Sequence, residues 1–131
     1  MNTSLNRDLV ERWLAAYGTA WEERDPAQLT ALFDGEANYF ETPFSAPFSG
    51  LAAIQSYWHQ AVSAQQDIRF RSELWNIDGD VAISHWHTTF TRLPVNANST
   101  LDGVFHLKFR STPTGIVCIE LREWWHYHEA A

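Results

Sequence analysis

The run IRFRSELWNIDGDVAISHWHTTFTR, residues 68–92, decides the fold. Ile68, Phe70, Ser72 and Leu74 alternate with charged residues, and on an extended chain side chains two apart share one face. Asp78-Gly79 reads as a two-residue hairpin turn in which glycine meets the demand for positive φ, so Val81 to Arg92 is the return strand. A long antiparallel hairpin with one apolar face needs cover, and the sequence on either side shows what supplies it.

Toward the C-terminus the chain continues as strand. After a polar loop at Asn96 to Thr100 comes a strand over 101–110, with Asp102-Gly103 expected as a bulge because Val104 to Phe109 is uninterrupted. A turn around Pro113 to Gly115 delivers the last strand, which contains Glu120-Leu121-Arg122-Glu123-Trp124-Trp125-His126. Parity puts Leu121, Glu123 and Trp125 on one face, so a carboxylate stands between two large apolar groups. Loss of hydration there disfavours the charged form and raises the pKa toward the range of an acid–base catalyst. An ion pair with an arginine is the purely structural reading of the same Glu.

Toward the N-terminus the period changes to helical. Leu9, Val10, Trp13, Leu14, Tyr17 and Trp21 recur at steps of three and four, predicting a helix over 5–23. Asp25-Pro26 opens a short second helix ending by Gly35, with Leu29, Leu32 and Phe33 inward. Residues 37–42 form a short strand that places Tyr39 and Glu41 on one face, and Ser49 caps a third helix over 50–64 carrying Leu51, Ile54, Trp58 and Ala61. Helices first and an antiparallel meander afterwards predict an α+β fold, in which three N-terminal helices pack on a curved, mostly antiparallel sheet. Closed by the long helix, that sheet makes a cone-shaped α+β barrel with a cavity, and 131 residues are one domain's worth, 1–131.

The totals exclude several function classes. A net charge of −7 opposes binding to a phosphate backbone, so no nucleic acid is expected. With no apolar run near the length of a membrane span and no basic-then-apolar leader at the N-terminus, no membrane association is expected. One cysteine, Cys118, allows no internal disulfide; it reads as a small core residue in a cytoplasmic protein. The unusual count is aromatic: seven Trp, eight Phe and four Tyr. Each indole N–H needs a partner when buried, so this many rings points to an aromatic cavity or an oligomer interface as well as a core.

The element order, with AAYGTAWEERDP at 15–26, FSGLAAI at 48–54 and GVF at 103–105, resembles the nuclear transport factor 2-like superfamily, its SnoaL-like branch above all. The likeness spans nearly the whole chain and implies the cone fold. Two enzyme groups of that superfamily allow a comparison by residue. Tyr39-Phe40-Glu41-Thr42-Pro43 and Leu121-Arg122-Glu123-Trp124-Trp125 are similar to the segments that hold the attacking water in limonene epoxide hydrolases, with Glu123 where their strand Asp stands. Trp86 and Thr88 take the positions of their Arg and Asp, so the epoxide-protonating acid is missing and epoxide hydrolysis is not expected. Tyr17 lies eight residues before Asp25, as the catalytic Tyr of ketosteroid isomerases does before the acid opening their second helix. Thr42 and Phe105 replace the two carboxylic acids of that family.

These readings converge on Glu123, Glu41, Tyr39 and Tyr17 as catalytic candidates, with Trp21, Trp58, Trp86, Phe105 and Trp125 lining the substrate cavity. For Tyr17 the structural reading is an inward aromatic, and for Tyr39 and Glu41 a solvated edge strand. Two carboxylates in one cavity would share a proton near neutrality and serve as acid and base. The ligand is expected to be small and apolar, and no cofactor is expected. His85 and His87, and again His126 and His128, are two apart on strands, a pattern that also serves metal sites. If Trp86 faces inward, His85 and His87 face outward, as do His106, Lys108, Arg122 and His126. That assigns them to a surface or homodimer interface on the outer sheet face, so no metal site is expected.

Overall fold

The computed structural model describes residues 5–130. Three helices, α1 (Arg7–Glu22), α2 (Pro26–Thr30) and α3 (Leu51–Ser63), pack on a six-stranded sheet. Its strands are β1 (Phe33–Phe40), β2 (Phe48–Ser49), β3 (Gln65–Asp78), β4 (Val81–Arg92), β5 (Ala97–Thr112) and β6 (Gly115–Glu129). The order across the sheet is β2-β1-β6-β5-β4-β3, antiparallel at every pairing except β1 with β6. This is the α+β cone: three helices on a curved, mostly antiparallel sheet.

The sequence explains α1 well. Asn6 caps it by accepting from the Leu9 amide at 2.9 Å, and Val10, Trp13, Leu14, Tyr17 and Trp21 are its buried stripe. Gly18 faces the sheet because a Cβ there would stand 2.5 Å from the Phe70 ring, so the helix settles directly on β3. Glu22 also accepts the Phe70 amide at 2.8 Å, satisfying a backbone donor on the edge strand. Asp25 caps α2 through the Ala27 and Gln28 amides, as its sequence predicts.

Several boundaries differ from expectation. The second helix stops at Thr30, and Phe33 already belongs to β1. The Leu32 carbonyl accepts both the Trp13 indole at 2.9 Å and the Cys118 amide at 3.0 Å, tertiary partners that draw the backbone out of the helix. Ser49 does not cap α3: its hydroxyl donates to Asn38 at 2.6 Å across the β1–β2 pair, and Gly50 opens the helix at φ +84° without a side-chain cap. The hairpin loop is Gly79-Asp80, one residue later than expected, with Asp78 paired to Val81 and Gly79 at φ +61°. Residues 97–100 are strand, since β5 pairs with β4 from Ala97 onward.

The bulge expected at Asp102-Gly103 is absent. Both residues pair in register with β4 and with β6, and the register shift lies between Lys108 and Phe109, opposite Ile119 of β6. Gly103 answers a different need. It stands between Trp86 and Trp125 in one row across the sheet, and a Cβ would meet the Trp124 carbonyl oxygen at 2.4 Å, Trp125 Cβ at 2.9 Å and Trp86 Cε2 at 3.0 Å. The missing side chain lets the Trp86 indole lie across β5.

Candidate functional site

The site forms where β6, the end of β1, α1 and α3 meet on the concave side of the sheet. Glu123 is 6% exposed and follows Leu121 and the bulge on β6. Parallel pairing sets Tyr39 beside Leu121 and Phe40 beside Arg122, so the chain leaves β1 at Glu41, level with Glu123. The Trp125 indole then fixes that exit by donating to the Glu41 carbonyl oxygen at 3.1 Å.

A cavity of about 210 Å³ opens above these groups. Its walls include Tyr17 and Trp21 from α1, Tyr57, Trp58 and Ala61 from α3, Trp86 and Phe90 from β4, and Leu101 from β5. Glu41 and Trp125 stand at the mouth, where Trp125 is 37% exposed. The structure therefore brings together Glu123, Glu41, Tyr39, Tyr17, Trp21, Trp58, Trp86 and Trp125. Phe105 does not line the cavity: it is wholly buried one layer behind, stacked on Trp86 at 5.2 Å and edge-on to Tyr17 at 5.2 Å.

Polar groups cluster in the cavity. The Tyr17 and Tyr39 hydroxyls are 2.8 Å apart and hydrogen-bonded to each other, and Glu123 lies close enough for its charge to act on both. Burial holds the Glu123 pKa well above the usual carboxylate range, the charge of Glu41 adds to the elevation, and the neighbouring Tyr39 hydroxyl opposes it. Glu41, partly solvated, is raised by burial alone. Burial and the nearby Glu123 also push Tyr17 and Tyr39 upward, so both phenols stay protonated as donors. Of the two carboxyl groups, burial bears more heavily on Glu123, so the protonated form is favoured more strongly there than at the partly solvated Glu41.

Tyr57 is the residue that sequence reasoning missed. It stacks on Phe48 at 4.5 Å, and its pKa is raised by burial and then by Glu123 and Glu41. Its hydroxyl makes no hydrogen bond to any described residue, which leaves one phenol in the cavity uncommitted. A signal was present, for Tyr57 sits three after Ile54 and four before Ala61, beside the apolar stripe. Phe90 and Tyr127, also in the lining, share the parity of Trp86 and of Glu123 on their strands.

The histidines lie outside this site. His85 and His87 face outward, each 2.9 Å from an oxygen of Asp102, and His85 stacks on Trp75. Among the described residues, no group of three or more His, Cys, Asp or Glu side chains is placed to hold a metal ion. Cys118 is buried and its thiol pKa is pushed up by that burial, in keeping with a core role.

Comparison with solved structures shows the same architecture at low identity. A proposed scytalone dehydratase from Novosphingobium aromaticivorans superposes with a TM-score of 0.82 at 11% identity, covering 95% of this chain and 87% of the other. The epoxide hydrolase/cyclase-like enzyme SalBIII of pyran ring formation in salinomycin gives 0.78 at 18%, covering 95% and 98%. Hexachlorocyclohexane dehydrochlorinase LinA-type3 from Novosphingobium barchaimii gives 0.78 at 11%, covering 95% and 90%. Compared by sequence with curated proteins, the chain has no significant match. The profile of the SnoaL-like domain matches residues 10–112, a segment that holds Tyr17, Tyr39, Glu41 and Tyr57 and stops short of Glu123. On that match, the chain belongs to the SnoaL-like domain family.

Proposed function

We propose that this protein is a cofactor-free acid–base enzyme acting on a small, largely apolar substrate. The observation that carries the reading is Glu123, enclosed among aromatic rings beside the hydrogen-bonded pair Tyr17 and Tyr39. A carboxylate desolvated this way is a stronger base than one in water, and in its protonated form it is an acid available near neutrality. Glu123 would take a proton from a carbon beside a carbonyl, or orient a water. Tyr57, whose hydroxyl is uncommitted, would donate to the oxyanion that develops. Isomerisation, cyclisation, dehydration and hydration all use these two acts. Solved neighbours described as a dehydratase, a dehydrochlorinase and an epoxide hydrolase/cyclase-like enzyme support this class of chemistry without naming the substrate.

A second reading, a binding or assembly module without catalysis, rests on Trp86 and Thr88. Both are buried, and by the family resemblance they look like the positions where the epoxide hydrolases carry Arg and Asp. Hydrogen exchange separates the two readings before the substrate is known. In D2O, the wild type should speed deuterium incorporation into enolisable ketones and aldehydes, followed by mass spectrometry, and Glu123→Gln should lower that rate by about 10²–10⁴. Equal rates for the two proteins across the panel would leave the binding module standing. For assembly, we place a second copy of the chain on the outer sheet face, where Trp75 is 53% and Trp124 49% exposed.

A further inference from the structure

The cavity is walled by aromatic residues and holds two carboxyl groups with no basic side chain. Among the described residues that line it, none is Lys, Arg or His. The guanidinium groups on the adjoining strands are engaged elsewhere, Arg92 with Glu129 at 2.7 Å and Arg122 with Glu120 at 2.9 Å over the Phe40 ring. An anionic ligand would meet Glu41 with no counter-charge. A cation gains wherever it meets the negative face of an aromatic ring, and from the carboxylates, whose attraction strengthens as water is excluded.

We propose that the cavity binds a small organic cation, an alkylammonium or quaternary ammonium ion, held against Trp21, Trp58 and Trp86 with Glu123 and Glu41 as counter-ions. The rings are mutually braced for this: Trp21 contacts Trp58 at 5.1 Å and Trp86 at 5.8 Å, and Trp58 is held edge-on by Tyr17 at 5.7 Å. A volume of about 210 Å³ is room for about seven waters at liquid density, so tetramethylammonium is accommodated and a large polycyclic cation is not. The inference shares with the proposed function the premise that the cavity admits ligands, and it does not depend on turnover.

Binding should be linked to a proton. The groups facing Glu123 are Tyr17 from α1, Tyr39 from β1, Tyr57 from α3 and Glu41 beyond β1, while β4 and β5 bring the uncharged Trp86 and Phe105. In the empty cavity burial favours the protonated form of Glu123, and a cation alongside favours the ionised form. The charge of a quaternary ion is fixed, so any pH dependence must come from the protein.

Calorimetric titration with tetramethylammonium chloride, against the neutral isostere tert-butanol, tests this between pH 5 and 8. The ammonium ion should bind at least tenfold tighter than the alcohol. Its affinity should climb by up to tenfold per pH unit while Glu123 remains protonated, with proton release seen by phenol red in weakly buffered solution. Glu123→Gln should bind at least tenfold more weakly and lose the pH dependence. If circular dichroism shows that variant unfolded, Glu41→Gln at the partly solvated mouth should still weaken the ammonium ion several-fold and leave the alcohol unchanged. Equal affinity for ion and alcohol, a flat pH profile, or no heat of binding overturns the proposal. Absent binding alongside Glu123-dependent exchange in D2O would sink the cation site alone. Tight, pH-linked binding without exchange would sink only the catalytic reading.

Discussion

At the scale of single residues, Glu123 is where stability and the proposed chemistry oppose each other. Its folded-state pKa is raised, chiefly by burial, above the ordinary carboxylate value of the unfolded chain. The folded state therefore prefers the protonated form, and this contribution is fully present below pH 4.5 and is lost as pH rises toward the elevated value. Gln cannot ionise, so Glu123→Gln should melt close to the wild type at pH 4.5 and above it at pH 8. A chain of this size gains about 4 °C per kcal/mol. Scanning fluorimetry at the two pH values checks this, and a wild type that matches the variant at pH 8 would show the carboxyl group to be better solvated than its 6% exposure indicates. Gly103 offers a test without charge. Gly103→Ala forces a Cβ to within 2.4 Å of the Trp124 carbonyl oxygen, a backbone atom that cannot swing aside. It should cost about 1–3 kcal/mol by chemical denaturation and move the tryptophan emission through Trp86 and Trp125.

At the scale of elements, parity and helical period read correctly wherever one face of an element is buried. The stripe of α1, the even residues of β4 and, beyond the bulge at Ile119, Leu121 and Glu123 of β6 all point where the pattern puts them, because a one-residue slip would send every apolar side chain to the wrong face. Element ends were harder. The stop of α2, the start of β1 and the opening of α3 depend on groups far along the chain, such as Trp13 and Cys118 at the Leu32 carbonyl. The β3–β4 hairpin is local, and its turn can be tested locally. Gly79→Ala meets no atom within 4 Å yet must adopt φ +61°, so it should cost about 1–2 kcal/mol, read from the midpoint of urea unfolding. A neutral outcome would show that the turn relaxes to another geometry.

At the scale of the whole molecule, the two faces of the sheet differ. The concave face encloses the cavity, while the outer face leaves Trp75 and Trp124 open around a groove of about 740 Å³ that also involves Phe44, His85 and His126. With a second copy placed there, the protein should elute in light scattering at twice its 15.1 kDa, and Trp124→Glu should return it to one chain. A wild type already at the mass of one chain would remove the dimer and leave the concave site untouched. What the sequence by itself determined is the order of elements and the inward faces, because these follow from periodicity and chain order, while the grouping of Glu123, Tyr39, Glu41 and Tyr17 was what the family resemblance implied. Only the tertiary structure decided that Phe105 stands behind the cavity wall, that Tyr57 completes it, and that Gly103 is a space for Trp86 and not a bulge. Those facts depend on how rings from four elements share a closed volume, and close packing among residues distant in sequence leaves no periodic trace in any one of them.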